Sequence, residues 1–420
     1  MAKVIVAAPP VPGEFIPLLE VARGLAAHGH HVTVLTGSGL REAVEQAGLA
    51  FVPLTGAADF DINEWASHPE RGALPPGPPQ LNFDCINVFV NPMPDEHAAL
   101  QELLDQDPDQ YLVANALFLG ALPVRLGAPG ARPLRWLAVS AVPLPLSSAD
   151  TTFFGPVPVG AGQDGKVANR AANAEFAAAM GATDERLGVL LAGLGAGGAP
   201  ATFFDAIFTV ADATAVLTVP GFEFERSDLP GNVHLVGILA ARAAEDWRPP
   251  AWWGELDGSR PVVVVTQGTV ANADLAQLVE PTLADLDVTV VAALGRDPGA
   301  LTARIPANAR VAEFIPFDVL LPKADVFVTN GGFGGTQLAV AAGVPVVMAG
   351  ESEDKPANAA RVAYHGLGID LQTATPTPQA VAAAVESLLE DAEVRENVAR
   401  QAKVYAQHNA LDTIERLLLG

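Results

Sequence analysis

Asn330-Gly331-Gly332-Phe333-Gly334-Gly335-Thr336 is the stretch whose reading decides the fold. The apolar run Val326-Phe327-Val328-Thr329 precedes it, and Gln337-Leu338-Ala339-Val340-Ala341-Ala342, closed by Gly343, follows with helical character, giving a helix that begins near Thr336. A strand, a glycine-rich turn and a helix N-terminus make an anion site. Backbone N–H groups and the positive dipole end face the ligand, and missing Cβ atoms let a phosphate come close. The same glycines also serve tight strand–helix packing, so the loop alone leaves both readings open. A second apolar run, Val344-Pro345-Val346-Val347-Met348, leads into Glu351-Ser352-Glu353-Asp354-Lys355-Pro356-Ala357-Asn358. Polar groups thus gather past the end of a strand, where open α/β sheets hold ligands.

The same alternation fills the rest of the chain. Val4 to Ala8 reads as a buried strand, a Pro/Gly turn over 9–13 follows, and a helix is expected over about 16–28. Strands are expected at 31–35, 51–54, 111–114 and 136–139. Residues 56–95 break the rhythm. They are rich in Pro, Gly and Asn, carry Trp65, Phe83 and Phe89, and read as a long irregular insertion. A second break at 239–260, with three Trp among charges and prolines, reads as an interdomain linker. Past it, Pro261-Val262-Val263-Val264-Val265 opens a new βα series, and helices fill 380–419.

At 420 residues the chain suits two domains of about 200 each. Its net charge of −24 argues against nucleic acid or an anionic membrane surface as partner. The single Cys85 excludes an internal disulfide and a cysteine zinc site. His28, His30 and His31 cluster, but at a helix end and strand start, where capping and packing account for them. Met1-Ala2-Lys3 runs straight into the first strand and no long uncharged apolar run occurs, so a cytoplasmic protein without integral membrane association is expected.

These motifs resemble those of nucleotide-sugar-dependent glycosyltransferases of the GT-B fold, the bacterial macrolide and glycopeptide type with plant relatives. The resemblance rests on 330–335, Gly343-Val344-Pro345, Asp354-Lys355-Pro356-Ala357-Asn358-Ala359-Ala360-Arg361-Val362 and Gly366-Leu367-Gly368, in that order. Val265-Thr266-Gln267-Gly268-Thr269 is similar to the strand-end motif that sets a hydroxyl near the diphosphate, and Glu313-Phe314-Ile315-Pro316-Phe317 to the segment that holds the base. Gly13-Glu14-Phe15-Ile16-Pro17, followed by Gly29-His30-His31-Val32-Thr33, resembles the family's G-H-x-x-P opening. The resemblance implies an α/β GT-B architecture, two doubly wound Rossmann-like domains facing a central cleft. It places an acceptor domain at 1–240, a linker at 241–258 and a nucleotide-sugar domain at 259–401, with a C-terminal helix at about 402–420 packing back on the first domain.

The chain departs from the family pattern in several places. The first-motif histidine is Glu14, and the acid that orients it falls on Asn115. The glycine-loop histidine is Asn330, its Thr/Ser is Gly335, its ribose-binding acid is Leu338, and the sugar-contacting Gln is Lys355. A carboxylate serves as base as well as an imidazole does, and the glycopeptide and sterol branches resemble G-D-x-x-P here. An Asp beside Glu14 would repel it, whereas an Asn donates a hydrogen bond to it, so Glu14 and Asn115 read as a coupled replacement.

The resemblance implies an inverting transferase that moves a sugar from a UDP- or dTDP-linked donor to a hydroxyl of an apolar acceptor, a natural product or lipid, with Glu14 as base assisted by Asn115. No cofactor or metal is expected beyond the nucleotide-sugar co-substrate. Donor-binding residues are then Gln267, Gly268, Thr269, Phe314, Ile315, Asn330, Gly331, Gly332, Gly334, Gly335, Asp354 and Lys355; Phe15, Phe83, Phe89 and Ser148 are expected to meet the acceptor, although a turn over 147–150 explains Ser148 equally well. The protein is expected as a monomer or homodimer. Two rivals share the fold: a non-catalytic nucleotide-sugar-binding or partner protein, and a nucleotide-sugar 2-epimerase, which would have no use for the 56–95 insertion.

Overall fold

The computed structural model describes residues 1–198, 202–239, 247–266, 283–293 and 305–420. The chain divides into two compact units, the first of Met1–Leu217, Glu225–Leu239 and Asn409–Gly420, the second of Thr218–Phe224 and Ala240–His408. A boundary placed at 240 from the sequence thus misses the short return of 218–224 to the second unit.

In the first unit β1 (Lys3–Ala7), β2 (His31–Thr36), β3 (Ala50–Pro53), β4 (Tyr111–Asn115), β5 (Trp136–Ser140), β6 (Ala213–Val216) and β7 (Val233–Leu235) form one parallel sheet, ordered β3-β2-β1-β4-β5-β6-β7. Alternate strand residues enter two separate cores. Ile5, Ala7, Leu112, Ala114 and Ala138 face one side, and Val4, Val6, Val113, Leu137 and Val139 the other. Burial on both faces is why these strands read as unbroken apolar runs. The helix Pro12–Ala27 packs on the second of these cores through Leu18, Val21, Ala22 and Leu25. The C-terminal helix Ala410–Leu419 covers the same face through Ala410, Ile414 and Leu418. Its Glu415 bonds His28 and, at 3.0 Å, His30 Nε2, which accounts for two of the clustered histidines.

The second unit repeats the plan. Its strands β8 (Val262–Thr266), β9 (Thr289–Ala293), β10 (Ala309–Ala312), β11 (Val326–Thr329), β12 (Val346–Met348) and β13 (Gly368–Asp370) are parallel and ordered β10-β9-β8-β11-β12-β13. In the first sheet the order reverses between β1 and β4, in the second between β8 and β11. Such switch points open the crevices that hold ligands in doubly wound folds. The architecture is α/β, two Rossmann-like domains of the GT-B fold.

Three sequence expectations need correction. Residues 56–95 are mostly helical, with helices at Ile62–Ala66, Pro69–Ala73 and Pro78–Asp84 and a π-helical turn at Cys85–Val90. Proline misleads here because Pro69 and Pro78 stand at helix starts, where the missing N–H costs nothing. The first helix begins at Pro12, so Glu14 lies in its first turn rather than in a loop after the strand. The helix after the glycine loop begins at Phe333, not near Thr336, because Gly332 already serves as N-cap. No described helix is long and apolar enough to cross a membrane.

The described part of the 239–260 segment, from Trp247 onward, rests on aromatic contacts. Trp247 and Trp252 pack on Trp253 at 5.4 and 6.1 Å, and the Lys323 ammonium lies 5.7 Å over the Trp253 ring.

Candidate active site

At the first switch point, Asn115 closes β4 and Glu14 sits in the first turn of the helix that follows β1. Both are buried, at 0% and 7% exposure. Asn115 Nδ2 donates to Glu14 Oε2 at 2.7 Å. The amide cannot turn over, because its Oδ1 accepts from the Leu117 N–H at 2.8 Å. A carboxylate so placed gains from a short hydrogen bond and from the helix N-terminus, which no side chain caps. Among the described residues, no group of three or more His, Cys, Asp or Glu is placed to hold a metal ion.

The turn after Asn115 is held from behind by Glu96 on the helix Met93–Gln106. Its Oε2 accepts from the Leu119 and Gly120 N–H groups at 2.7 and 3.0 Å, and Oε1 has no partner among the described residues. Burial pushes the Glu96 carboxyl up to about 8, against those two backbone bonds. Because the folded pKa is raised, its contribution to stability is complete below the ordinary carboxylate pKa and is lost as pH rises toward about 8. Glu96→Gln removes the titration. The urea midpoint of the variant is therefore expected to gain on that of the parent as pH rises from about 5 to 9. A constant difference across that range would show that Glu96 titrates normally.

The acceptor residues expected from sequence divide. Phe83 is half-buried and packs against Trp65 at 6.2 Å, and Phe89 is half-buried against the core. Phe15 is a correction: at 2% exposure it lies in the core beneath the first helix, since it shares a helix face with Leu18, Leu19 and Ala22. Ser148 is another. Its hydroxyl donates to Asp228 Oδ1 at 2.7 Å and accepts from the Asp150 N–H at 3.0 Å, so it builds a turn. A partly exposed aromatic row that the sequence reading passed over lies nearby in the chain, with Phe153, Phe154, Phe176 and Phe204 at centroid spacings of 5.1 to 6.4 Å.

In the second unit the glycine loop leaves β11 beside β8, where Thr329 pairs with Thr266. Gln267, Gly268 and Thr269 follow Thr266 and lie outside the described residues. Gly331 has φ +94°, and a Cβ there would stand 2.6 Å from Met348 Cε, so only glycine fits. Its N–H donates to Thr329 Oγ1 at 3.2 Å and its carbonyl accepts from Asn358 Nδ2 at 2.9 Å. No side chain caps the helix Phe333–Ala341. Gly332 and Gly334 have nothing within 4 Å of a built Cβ, whereas Gly335 turns toward Phe317 and Phe327. The open side of the helix start is therefore at Gly332 and Gly334, and Asn330 stands half-buried at its edge.

A second segment closes on this loop. Gly350 passes so near that a Cβ would stand 2.1 Å from the Asn330 carbonyl oxygen. Glu353 adopts φ +58°, a conformation rare outside glycine. Asp354 and Lys355 then start the helix Lys355–Tyr364. Asp354 Oδ2 accepts from Asn358 Nδ2 at 3.1 Å, and burial raises its pKa against the pull of Lys355 and that hydrogen bond. The Lys355 ammonium pairs with Glu353 and bonds Ser352 Oγ at 3.3 Å. Phe314 is exposed and Ile315 buried, so the first offers a ring face and the second only backbone.

Sequence reasoning passed over Asn358, Gly350, and the buried pair of Arg361 with Glu223. Asn358 and Arg361 lay inside a quoted motif, so the signal was present. Glu223 carried none, being 138 residues from its partner.

Known proteins resemble this chain over its whole length. It is 36% identical to UDP-glycosyltransferase 2 of Phaeomoniella chlamydospora, covering 98% of this chain and 94% of the relative. It is 35% identical to 4'-demethylrebeccamycin synthase of Lentzea aerocolonigenes, covering 99% and 100%. Residues 277–413 match the family of the erythromycin biosynthesis protein CIII-like C-terminal domain. The crystal structure of the kitacinnamycin glycotransferase superposes with a TM-score of 0.70 at 26% identity, covering 99% of this chain and 98% of that one.

Proposed function

The chain belongs to the nucleotide-sugar-dependent glycosyltransferases of the GT-B fold, and from that premise we propose that it moves a sugar, with inversion, onto a hydroxyl of an apolar natural product, using Glu14 as base. The observation that carries this reading is the 2.7 Å bond from Asn115 to Glu14 at the switch point of the first sheet. The Glu14 carboxylate takes the acceptor's hydroxyl proton as the oxygen attacks the anomeric carbon. The bond from that carbon to the diphosphate breaks, and its electron pair leaves with the diphosphate. One displacement from the face opposite the leaving group inverts the configuration.

In this reading the diphosphate lies at the start of the helix Phe333–Ala341, on the Gly332 and Gly334 side; the uncapped helix start and the open glycines there support it. Asp354 accepts from sugar hydroxyls, Lys355 reaches the sugar or a phosphate, and the exposed Phe314 ring stacks on the base. The name of the first relative supports a UDP-linked donor, and that of the second a natural product as acceptor. The partly exposed Phe153, Phe154, Phe176 and Phe204 supply an apolar surface of the kind such acceptors need.

Gly334→Val tests the diphosphate position. A Cβ at this position meets nothing within 4 Å outside its own helix, and the unfolding midpoint of the variant reports whether the fold stands. Losing one charged hydrogen bond costs about 1.5–3 kcal/mol, so nucleotide affinity is expected to fall roughly 10- to 150-fold. Unchanged affinity in the folded variant would move the diphosphate elsewhere. The function itself is tested by turnover of UDP- and dTDP-sugars against a panel of phenolic and polyketide acceptors, with and without chelator. Glycoside should form equally in both. Activity lost to chelator and restored by magnesium would overturn the metal-free displacement, and nucleotide binding without any glycoside would overturn the reading of the reaction.

A further inference from the structure

The backbone N–H groups that follow β4 are each held in turn. Ala116 donates to the Val139 carbonyl at 2.8 Å, which continues the sheet. Leu117 donates to Asn115 Oδ1 at 2.8 Å, and Phe118 to the Asn115 carbonyl at 2.9 Å. Leu119 and Gly120 donate to Glu96 Oε2 at 2.7 and 3.0 Å. The Gly120 carbonyl in turn accepts from His97 Nδ1 at 2.9 Å. Residues 117–120 thus hang between Asn115 at one end and the helix Met93–Gln106 at the other, and all of them are buried. The turn lies directly on that helix: a Cβ at Gly120 would stand 2.7 Å from the Glu96 backbone carbonyl carbon.

The Asn115 amide is planar, so its two ends move together. The Leu117 N–H fixes Oδ1, and that aims Nδ2 at Glu14 Oε2, 2.7 Å away. A shift of the Leu117 N–H rotates the amide and carries Nδ2 off the carboxylate. The path of the turn sets the Leu117 N–H, and Glu96 holds the far end of that path. Glu96 is 0% exposed, and its Oε1 has no partner among the described residues. Keeping such a carboxyl costs stability, and native proteins keep few of them. Its neighbours on the helix are engaged elsewhere: Asp95 accepts from the Ala57 N–H at 2.6 Å, and His97 is spent on the Gly120 carbonyl. What the Glu96 carboxyl provides is a single oxygen that fastens both N–H groups of the turn.

We propose that Glu96 is a positioning residue for sugar transfer: by fastening the Leu119 and Gly120 N–H groups it fixes the turn that orients the Asn115 amide, and through that amide the Glu14 carboxylate. This rests on the reading of Glu14 as the base given above.

The test compares the full-length parent, Glu96→Asp, Asn115→Ala and the double variant across pH, with a UDP-sugar and an acceptor that the parent turns over. Unfolding midpoints and nucleotide affinity report that each is folded. Glu96→Asp is one methylene shorter and cannot reach both N–H groups from the same backbone. It should lower kcat about tenfold, the worth of one hydrogen bond, with KM for the nucleotide sugar unchanged. The acid limb of the pH–rate profile should move upward, because a carboxylate that loses a donor becomes more basic. Asn115→Ala should do the same, and the double variant should be no worse than Asn115→Ala alone, since both changes remove the same bond to Glu14. Losses that add in the double variant, or a parental kcat and acid limb in folded Glu96→Asp, overturn the proposal and leave Glu14 as base. A parental kcat and acid limb in Asn115→Ala overturn both. A readout that needs no turnover separates the two further: in ¹⁵N-labelled protein the Asn115 side-chain amide resonances, assigned by their loss in Asn115→Ala, should shift in Glu96→Asp, and unmoved resonances overturn the positioning whatever the reaction. If Glu96→Asp does not fold, Gly120→Ala, whose Cβ pushes the turn off the helix, is measured against the same criteria.

Discussion

Glu14→Gln is expected to lower the rate constant for sugar transfer by roughly 10²–10⁴-fold, the usual worth of a general base, while nucleotide-sugar affinity stays unchanged. The substitution keeps the size of the side chain and its place in the first turn of the helix Pro12–Ala27. It removes the basic oxygen pair and leaves the donor residues, which lie in the second unit, untouched. The partner amide gives a second handle. Asn115→Asp would set two carboxylates at hydrogen-bond distance, where both cannot ionise freely, and the acid limb of the pH–rate profile should move upward. A Glu14→Gln enzyme with near-parental turnover would show that the proton goes elsewhere.

Arg361→Met is expected to destabilise the second unit by about 3–5 kcal/mol. The Arg361 and Glu223 side chains are 0% and 1% exposed. Arg361 Nη2 reaches Glu223 Oε1 at 2.7 Å, Nε lies 3.1 Å from each carboxylate oxygen, and Nη1 donates to the Ala357 carbonyl at 2.9 Å. The guanidinium also stacks 4.5 Å over Phe224. Removing one member leaves the other's charge buried without its counter-ion, which is far costlier than removing both. The pair Glu223→Leu with Arg361→Met should therefore recover most of what Arg361→Met loses, in urea unfolding read from the second unit. Arg361 lies on the helix that begins at Asp354 and Lys355, so nucleotide affinity should weaken along with stability. A loss below about 1 kcal/mol in the single variant would mean that the pair is far better solvated than its burial indicates.

Much of the fold was legible because each motif carries its own physics. Glycines at a strand–helix turn fix a loop, and paired apolar runs fix parallel strands. The order of the motifs did the rest. The hydrogen bond between Asn115 and Glu14 was legible because two departures from one family pattern made chemical sense together. The helices of 56–95 were not, since proline signals a loop and a helix start with the same letter. Phe15 was misread because the helix was taken to begin after it; once Pro12 starts the helix, Phe15 falls on the buried face. Ser148 read equally as a ligand-facing hydroxyl and as part of a turn, and its bond to Asp228, 80 residues away, favours the turn. Glu223 and Arg361 show the general limit: spacing along the chain reports contacts within one element, and a buried ion pair between distant segments leaves no periodic trace.

The most direct test of a base-assisted single displacement is the configuration of the product. The parent enzyme, given an α-linked UDP-sugar and an acceptor that it turns over, should yield only the β-glycoside in the anomeric region of the proton NMR spectrum, as the donor's α signal decays. An α-glycoside, or UDP released with the sugar on no acceptor, would contradict the account.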